Sequence, residues 1–532
     1  MKNLKTCIKG IHSMMGHSRG RAFLSVVLGI LHIAASLSFV WICKELVDIA
    51  TGVSGGSLGT HIIIMVSIMV SQLLLGTAGS WWQGYNVVKT NNSLKYELFS
   101  HVLHSKWNGK EEFHSGDVVN RLQADLGTIV ELICIRIPDV VITIIQLIAA
   151  SIYLLTMAPN LLWLLIGLMV IGVVGSRLFY KALRTLTERI RKAESEAQQH
   201  IQENLQNRVL VLTLIGTGRV LEKLGLIQRD IEGNIIKRLN YGAAGRMFMG
   251  FGFMAGYAAA FIWGVVGIKE GAVTYGMMTA FLQLVGQVQR PVADLAKHIP
   301  AFIHALTSEE RLLELMELPL RDESEDKLLE GPQEISFSNV SFSYPGSSLK
   351  VLDNFSFTFR SGELTAITGP TGKGKSTMVR LAMGLLSPSE GSVSTFPMCN
   401  YMYVPQGNSL MSGTIRENLQ LAKADAGEDE MKHALETAVA DFVLDLPDGL
   451  DTVCGEVGSG LSEGQAQRIA IARALLHSGG ILILDEATSA LDSGTEAVLL
   501  DNISKEFRGK KTILFVSHRE KVSETADSIC RM

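Results

Sequence analysis

The sequence predicts a multidomain fold: an all-α domain of six membrane-spanning helices with long cytosolic extensions, followed by a soluble α/β domain. Two observations carry this. Apolar runs about as long as a bilayer is thick recur through the first part of the chain. Beyond Leu318 the composition turns charged and then alternates as strands do. The 532 residues also exceed the roughly 250 to 300 that one core accommodates, and 47% hydrophobic beside 19% charged residues suits an apolar part joined to a soluble one. The expected boundaries are a transmembrane domain over 1–318, a linker at 319–334, where RDESEDKLLEGPQE is broken by Gly331 and Pro332, and a soluble domain over 335–532.

The six apolar runs are Ala22–Cys43, Ser57–Ala78, Val140–Met157, Leu161–Val174, Met247–Ile268 and Tyr275–Val288. The first is too long, and too poor in small residues at its end, for a removable signal peptide. Lys2, Lys5, Lys9, Arg19 and Arg21 precede it without an acidic residue, which puts the N-terminus in the cytoplasm. The uncharged loops TGVSGGSLGT and MAPN then lie outside, and the charged segments Lys89 to Arg136 and Arg177 to Arg246 lie inside with the C-terminus. Both inside segments have helical periodicity, so the spans are expected to continue as rods into the cytosol. Their turns, His104–Gly116 and Asn204–Gly216, are the candidates for contact with a soluble domain.

In the last span Gln283, Gln287, Arg290, Asp294 and Lys297 fall on one helical face. Polar residues at membrane depth turn toward protein or water, so Gln283, Gln287 and Arg290 are candidates for the wall of an aqueous cavity. Helix–helix hydrogen bonding, with the helix leaving the membrane after Pro291, is the competing reading.

The net charge of −4 is close to balanced, so no polyanion-binding role follows from it, and no nucleic acid is expected as partner. The six cysteines, Cys7, Cys43, Cys134, Cys399, Cys454 and Cys530, have no paired spacing, so neither a disulfide framework nor a zinc site is indicated.

In the soluble part ISFSNVSFSY, FSFTF, LTAIT, ILILD and TILFVS read as strands, several of them separated by helices, as in an α/β core. After LTAIT comes GPTGKGKST, which fits G-x-x-x-x-G-K-[ST] at Gly369, Gly372, Gly374, Lys375 and Ser376 between a strand and a helix. Glycines let backbone N–H groups wrap phosphate oxygens, Lys375 is suited to the β/γ-phosphates and Ser376 to Mg²⁺. Pro370, Thr371, Lys373 and Thr377 complete the nucleotide-binding loop. ILILDE delivers two carboxylates at a strand end, Asp485 suited to Mg²⁺ and Glu486 to the water that attacks the γ-phosphate.

The order GPTGKGKST, VPQ, LSEGQ, ILILDEATSALD and VSH resembles the P-loop NTPase domain of ATP-binding cassette (ABC) transporters, and six preceding spans look like their exporter-type half-transporters. The resemblance covers nearly the whole chain. It implies ATP and Mg²⁺ as cofactors, with Tyr344 stacking on adenine, Gln406 switching between the Mg²⁺ site and the membrane domain, and His518 sensing the γ-phosphate. Ser462, Gly464 and Gln465 would contact the partner subunit's nucleotide, and Ser489, Ala490, Leu491 and Asp492 would form the loop that meets the opposite site. The partner implied is a second half-transporter, because the family sandwiches two ATP molecules between two domains.

TIRENL (Thr414–Leu419) and GEVGSGLSEGQ (Gly455–Gln465) are similar to exporter segments that face the cytosolic helix turns. The function expected is ATP-driven export across the cytoplasmic membrane, the bacterial inner membrane, of a lipid, an amphipathic compound or a peptide. An importer, and an ATP-gated channel or regulatory membrane ATPase on the same scaffold, are the alternatives. The short N-terminus, without a peptidase domain, argues against a leader-cleaving peptide exporter.

Three departures from the family stand out. Glu463 replaces the usual first glycine of LSGGQ and brings a carboxylate toward the partner's γ-phosphate. A homodimer carries it in both sites and a heterodimer in one; the complete phosphate loop and carboxylates of this chain favour the homodimer. GSVSTFPMCNYMYVPQ is short, so a reduced antiparallel sheet is expected, and the chain stops at DSICRM inside a strand.

Overall fold

The computed structural model describes all residues except 1–13, 17, 107–114, 215, 322–326, 345, 346, 348, 371, 408, 456–459, 518 and 519. The chain forms two units, Met1–Ser100 with Gly116–Glu317 and His101–Ser115 with Leu318–Met532.

Among the described residues the first unit holds six long helices: α1 (Arg19–Ala50), α2 (Leu58–Leu103), α3 (Gly116–Met157), α4 (Pro159–Gln206), α5 (Thr217–Lys269) and α6 (Tyr275–Met316). At about 1.5 Å per residue, the 46 residues of α2 and the 53 of α5 reach roughly 70 and 80 Å, over twice a bilayer's hydrocarbon core, so each rod extends well beyond the membrane. Among the described residues four helices, α1, α2, α3 and α5, are long and apolar enough to cross a membrane. This differs from the six runs of the sequence. The apolar part of α4 is the shorter Pro159–Gly172, and the apolar run of α6 is interrupted by Gln283, Gln287, Gln289 and Arg290.

Local chemistry sets the helix ends. Pro159 opens α4, where its missing N–H has no partner to lose. The Thr274 hydroxyl caps α6 by accepting from the Met277 N–H at 3.0 Å. Within α3 the backbone widens to π turns at Arg121–Asp125 and Leu132–Arg136, the second just ahead of Pro138. One core gathers Val40, Leu154, Leu161, Leu165, Phe281 and Leu284, and another Leu98, Leu126, Ile129, Ile133 and Leu312.

The second unit holds a three-stranded antiparallel sheet in the order β2-β1-β4 and a five-stranded parallel sheet in the order β10-β3-β9-β8-β5. These strands are β1 (Ile335–Phe342), β2 (Leu352–Phe359), β3 (Leu364–Thr368), β4 (Glu390–Val393), β5 (Tyr401–Val404), β8 (Ile481–Asp485), β9 (Thr512–Val516) and β10 (Ser528–Arg531). A two-residue pair, β6 (Gly413–Thr414) and β7 (Val453–Cys454), completes the strands. All residues of β8 and β9 are buried, as a central parallel sheet covered on both faces requires. The expected small antiparallel sheet has β4 as its edge, and DSICRM supplies β10, paired in parallel with β3. Also within this unit, Ser105 bridges Leu320 and the His101 ring bonds the Leu318 carbonyl at 3.1 Å.

Candidate functional site

Parallel pairing sets the site, because β3, β9, β8 and β5 all end on the same edge of the sheet and their following loops meet there. From β3 runs the glycine-rich loop, which turns through Gly374 at φ +94° into α7 (Lys375–Ala382). Only glycine adopts that backbone without strain, and a Cβ there would also stand 2.7 Å from the Val351 side chain. Lys375 is buried; its Nζ donates to the carbonyls of Gly369 at 2.9 Å and Pro370 at 3.2 Å and stands 3.9 Å from Glu486 Oε1.

From β8 come Asp485 and Glu486. Burial raises the Asp485 pKa, while the adjoining Ser376 hydroxyl opposes the rise. Asp485 Oδ1 is buried without a hydrogen-bond partner among the described residues. A hydroxyl, a carboxylate and the Gln406 amide are hard oxygen donors, so Ser376, Asp485 and Gln406 fit a Mg²⁺ ion. Glu486 has φ +51°, a left-handed conformation that disfavours a non-glycine residue by roughly 1–2 kcal/mol and occurs at functional sites. From β5, Gln406 Nε2 donates to Glu486 Oε2 at 2.7 Å.

The Tyr344 hydroxyl is 3.0 Å from Thr377 Oγ1 and accepts from Arg380 at 3.4 Å, with its ring edge-on to Phe342 at 5.0 Å. Gly369, Pro370, Gly372, Lys373 and Gly374 lie in the same loop, whereas Thr371 and His518 lie outside the described residues. Ser462 caps α8 (Glu463–Leu476) in a reciprocal box: its Oγ accepts the Gln465 N–H at 3.2 Å and its N–H donates to Gln465 Oε1 at 2.9 Å. Glu463 is exposed in the first turn, and a Cβ on Gly464 would stand 3.0 Å from the Ala490 carbonyl. LSEGQ and SALD therefore pack together. Leu491 is buried, and Asp492 caps α9 (Ser493–Phe507) by accepting from Gly494 and Thr495. The Thr495 hydroxyl and backbone amides bring the Asp492 pKa down to about 2.

Of the candidate cavity face, Gln287 donates to Ser36 of α1 at 3.1 Å, Gln283 stands beside Cys43, and Arg290 is exposed. Sequence reasoning missed three residues at the nucleotide-domain site. Arg380 reaches Tyr344, Tyr403 lies beside Asp485 with its pKa pushed by burial up to about 12, and Gln467 bonds Ser489 and Ala490 at 3.2 Å each. Arg380 is one helical turn past Ser376 and Tyr403 three residues before Gln406, but neither belongs to a motif.

Two family profiles match the chain: the ABC transporter transmembrane region over residues 22–292, and ABC transporter over residues 352–489. The chain is 25% identical, over 99% of its length and 90% of the relative's, to the uncharacterized ABC transporter ATP-binding protein YfiC of Bacillus subtilis. It is 30% identical, over 82% of its length and 76% of the relative's, to the uncharacterized ABC transporter ATP-binding protein y4gM of Sinorhizobium fredii. A solved structure of a bacterial Atm1-family ABC exporter with ATP bound shares the fold, with a TM-score of 0.81 and 23% identity, over 97% of this chain and 93% of that one.

Proposed function

The chain belongs to the ABC transporter family, with its transmembrane region and ATPase fused in one polypeptide, and from that premise we propose that it is one half of a homodimeric exporter. ATP binding closes two nucleotide-binding domains, the long cytosolic helices carry the motion, and the cavity turns outward. Hydrolysis resets it. The cargo is a lipid, an amphipathic compound or a peptide, moved across the bacterial inner membrane by a protein with both termini in the cytoplasm.

Each residue has a role in this proposal. The Gly369–Thr377 loop cradles the phosphates, Lys375 answers the β/γ charge, and Tyr344 stacks on adenine. Ser376, Asp485 and Gln406 hold Mg²⁺, which neutralises developing charge on the phosphates when bound. Glu486 orients and deprotonates the attacking water, and His518 contacts the γ-phosphate. Ser462, Glu463, Gly464 and Gln465 face the partner's nucleotide, and Ser489 to Asp492 form the loop between the two sites.

The observation that carries the reading is the meeting of Lys375, Gln406 and Glu486 where β3, β5 and β8 end. The test is phosphate release by the purified chain alone in lipid nanodiscs, wild type beside Glu486→Gln. Turnover by wild type and a loss of at least about 100-fold in the variant, as for removal of a general base, are expected. No turnover by wild type, with activity restored by an added second half-transporter, would replace the homodimer by a heterodimer. ATP-dependent flux only down a gradient would replace the exporter by a gated channel.

A further inference from the structure

We propose that Arg380 is a positioning residue for the nucleotide base: through the Tyr344 hydroxyl it fixes the ring on which adenine stacks. The proposal rests on the stacking role given to Tyr344 above and adds what holds that ring in place.

A ring serves a base only when its plane is set, because stacking depends on offset and tilt. Tyr344 lies two residues beyond the end of β1 and is half-buried. Its backbone carbonyl accepts from the Ser347 N–H at 3.0 Å, which fixes the main chain. Its ring meets the buried Phe342 edge-on, with 5.0 Å between centroids and 83° between planes. These contacts hold the near end of the side chain. The far end is held by α7, where Thr377 and Arg380, three residues apart, share a face.

The hydroxyl contacts have a direction. A guanidinium carries donors and no acceptor, so Arg380 Nη1 donates to the Tyr344 oxygen, at 3.4 Å. The one phenolic proton is then left to point at Thr377 Oγ1, 3.0 Å away on a side chain that is itself buried. The ring cannot turn without breaking both bonds. Since α7 also opens with Lys375 and Ser376, one helix sets the base-stacking ring and the phosphate loop in a common frame. The arginine bond is long for an N–H donor, so its loss should cost several-fold in affinity and not a hundredfold.

Arg380 also acts by charge on the Asp485 carboxylate and on Tyr403. A lost charge weakens the hold on phosphate whatever the base, whereas a displaced ring weakens the hold on the base alone. A polyphosphate without a base separates the two.

The test is metal-free binding to the full chain in lipid nanodiscs with EDTA, by displacement of radiolabelled ATP with unlabelled ATP and with tripolyphosphate. Arg380→Met, and Tyr344→Phe, which keeps the ring and loses the hydroxyl, are each expected to weaken ATP at least about threefold while tripolyphosphate changes less than about twofold. The double variant should bind ATP no more weakly than the weaker single one. Unchanged ATP affinity in Arg380→Met, equal losses for the two ligands, or losses that multiply in the double variant each overturn the proposal. Should Arg380→Met not fold, Arg380→Gln takes its place under the same criteria; should neither fold, Tyr344→Phe decides, and unchanged ATP affinity overturns the proposal. Tyr344→Ala reads the stacking role itself, which predicts ATP weakened about tenfold with tripolyphosphate unchanged. Unchanged ATP affinity in Tyr344→Ala overturns stacking and the positioning with it. ATP weakened in Tyr344→Ala but not in Arg380→Met or Tyr344→Phe overturns the positioning and leaves stacking.

Discussion

Gln406 and Glu486, 80 residues apart in the chain, are joined by an amide-to-carboxylate hydrogen bond of 2.7 Å. The same carboxylate has the Lys375 ammonium 3.9 Å from its other oxygen. Glu486 is thus held at a strained φ of +51° by charge and hydrogen bonding from two other loops. Residues that act as a unit are not additive. Gln406→Ala is expected to lower kcat roughly tenfold in the wild-type background and to have no further effect beside Glu486→Gln, read as phosphate release across the four proteins of the cycle.

Glu463 is exposed at the start of α8, where a negative charge suits the helix dipole, but the proposed dimer would bring a triphosphate to the same turn. Exposure and salt screen the repulsion without abolishing it. Glu463→Gly is expected to lower KM for ATP several-fold with kcat little changed, and the difference should shrink at high salt. Steady-state kinetics at two ionic strengths checks it; an unchanged KM at low salt would mean that the side chain stays away from the nucleotide.

Asp492 carries a pH dependence whose sign is fixed by its hydrogen bonds. The Thr495 hydroxyl and the N–H groups of Thr495 and Gly494 favour the carboxylate, taking its pKa from 3.8 to about 2. A depressed carboxylate contributes stability that is full above the ordinary value and is lost as pH falls through the lowered one. Amide protection at Gly494 and Thr495 should therefore persist down to about pH 4 and fade toward about pH 2. In Asp492→Asn, which keeps an acceptor without the charge, that fading should vanish. Hydrogen exchange at the two amides reads both outcomes.

Arg121 sits 7% exposed where α3 meets α6, donating to Asp117 at 2.8 Å, Glu314 at 2.7 Å and the Arg311 carbonyl at 2.6 Å. Arg311 adds a hydrogen bond to Asp117 and an ion pair with Asp125, and the Ser308 hydroxyl donates to the other oxygen of Asp125. Arg121→Ala would leave carboxylates facing one another and a carbonyl without its donor, a loss of about 2 kcal/mol in stability. Arg121→Lys should recover less than half of it, because an ammonium cannot span three acceptors as a guanidinium does. Thermal unfolding of the membrane-embedded protein tests the order wild type, lysine, alanine.

The chemistry of the phosphate loop was legible from Gly369 to Thr377 because its signal is local: glycines, a lysine and a hydroxyl at fixed spacing between strand and helix. The same holds for Asp485 and Glu486 at the end of an apolar strand, and for the long helices, whose apolar and amphipathic periods are written within single segments. The face of the last span was less legible. Its spacing showed that Gln283 and Gln287 share a side, but only packing turned Gln287 toward Ser36, since a helical period fixes a face and not its neighbour. Arg380, Tyr403 and Gln467 matter through residues brought near by strand order and helix packing, and no short-range pattern marks them. The sequence by itself determined which chemical groups the chain carries and which segments are helix, strand or phosphate loop, because those follow from neighbours along the chain. Tertiary structure alone decided which groups share a charge or a hydrogen bond, because those energies depend on distances that only packing sets.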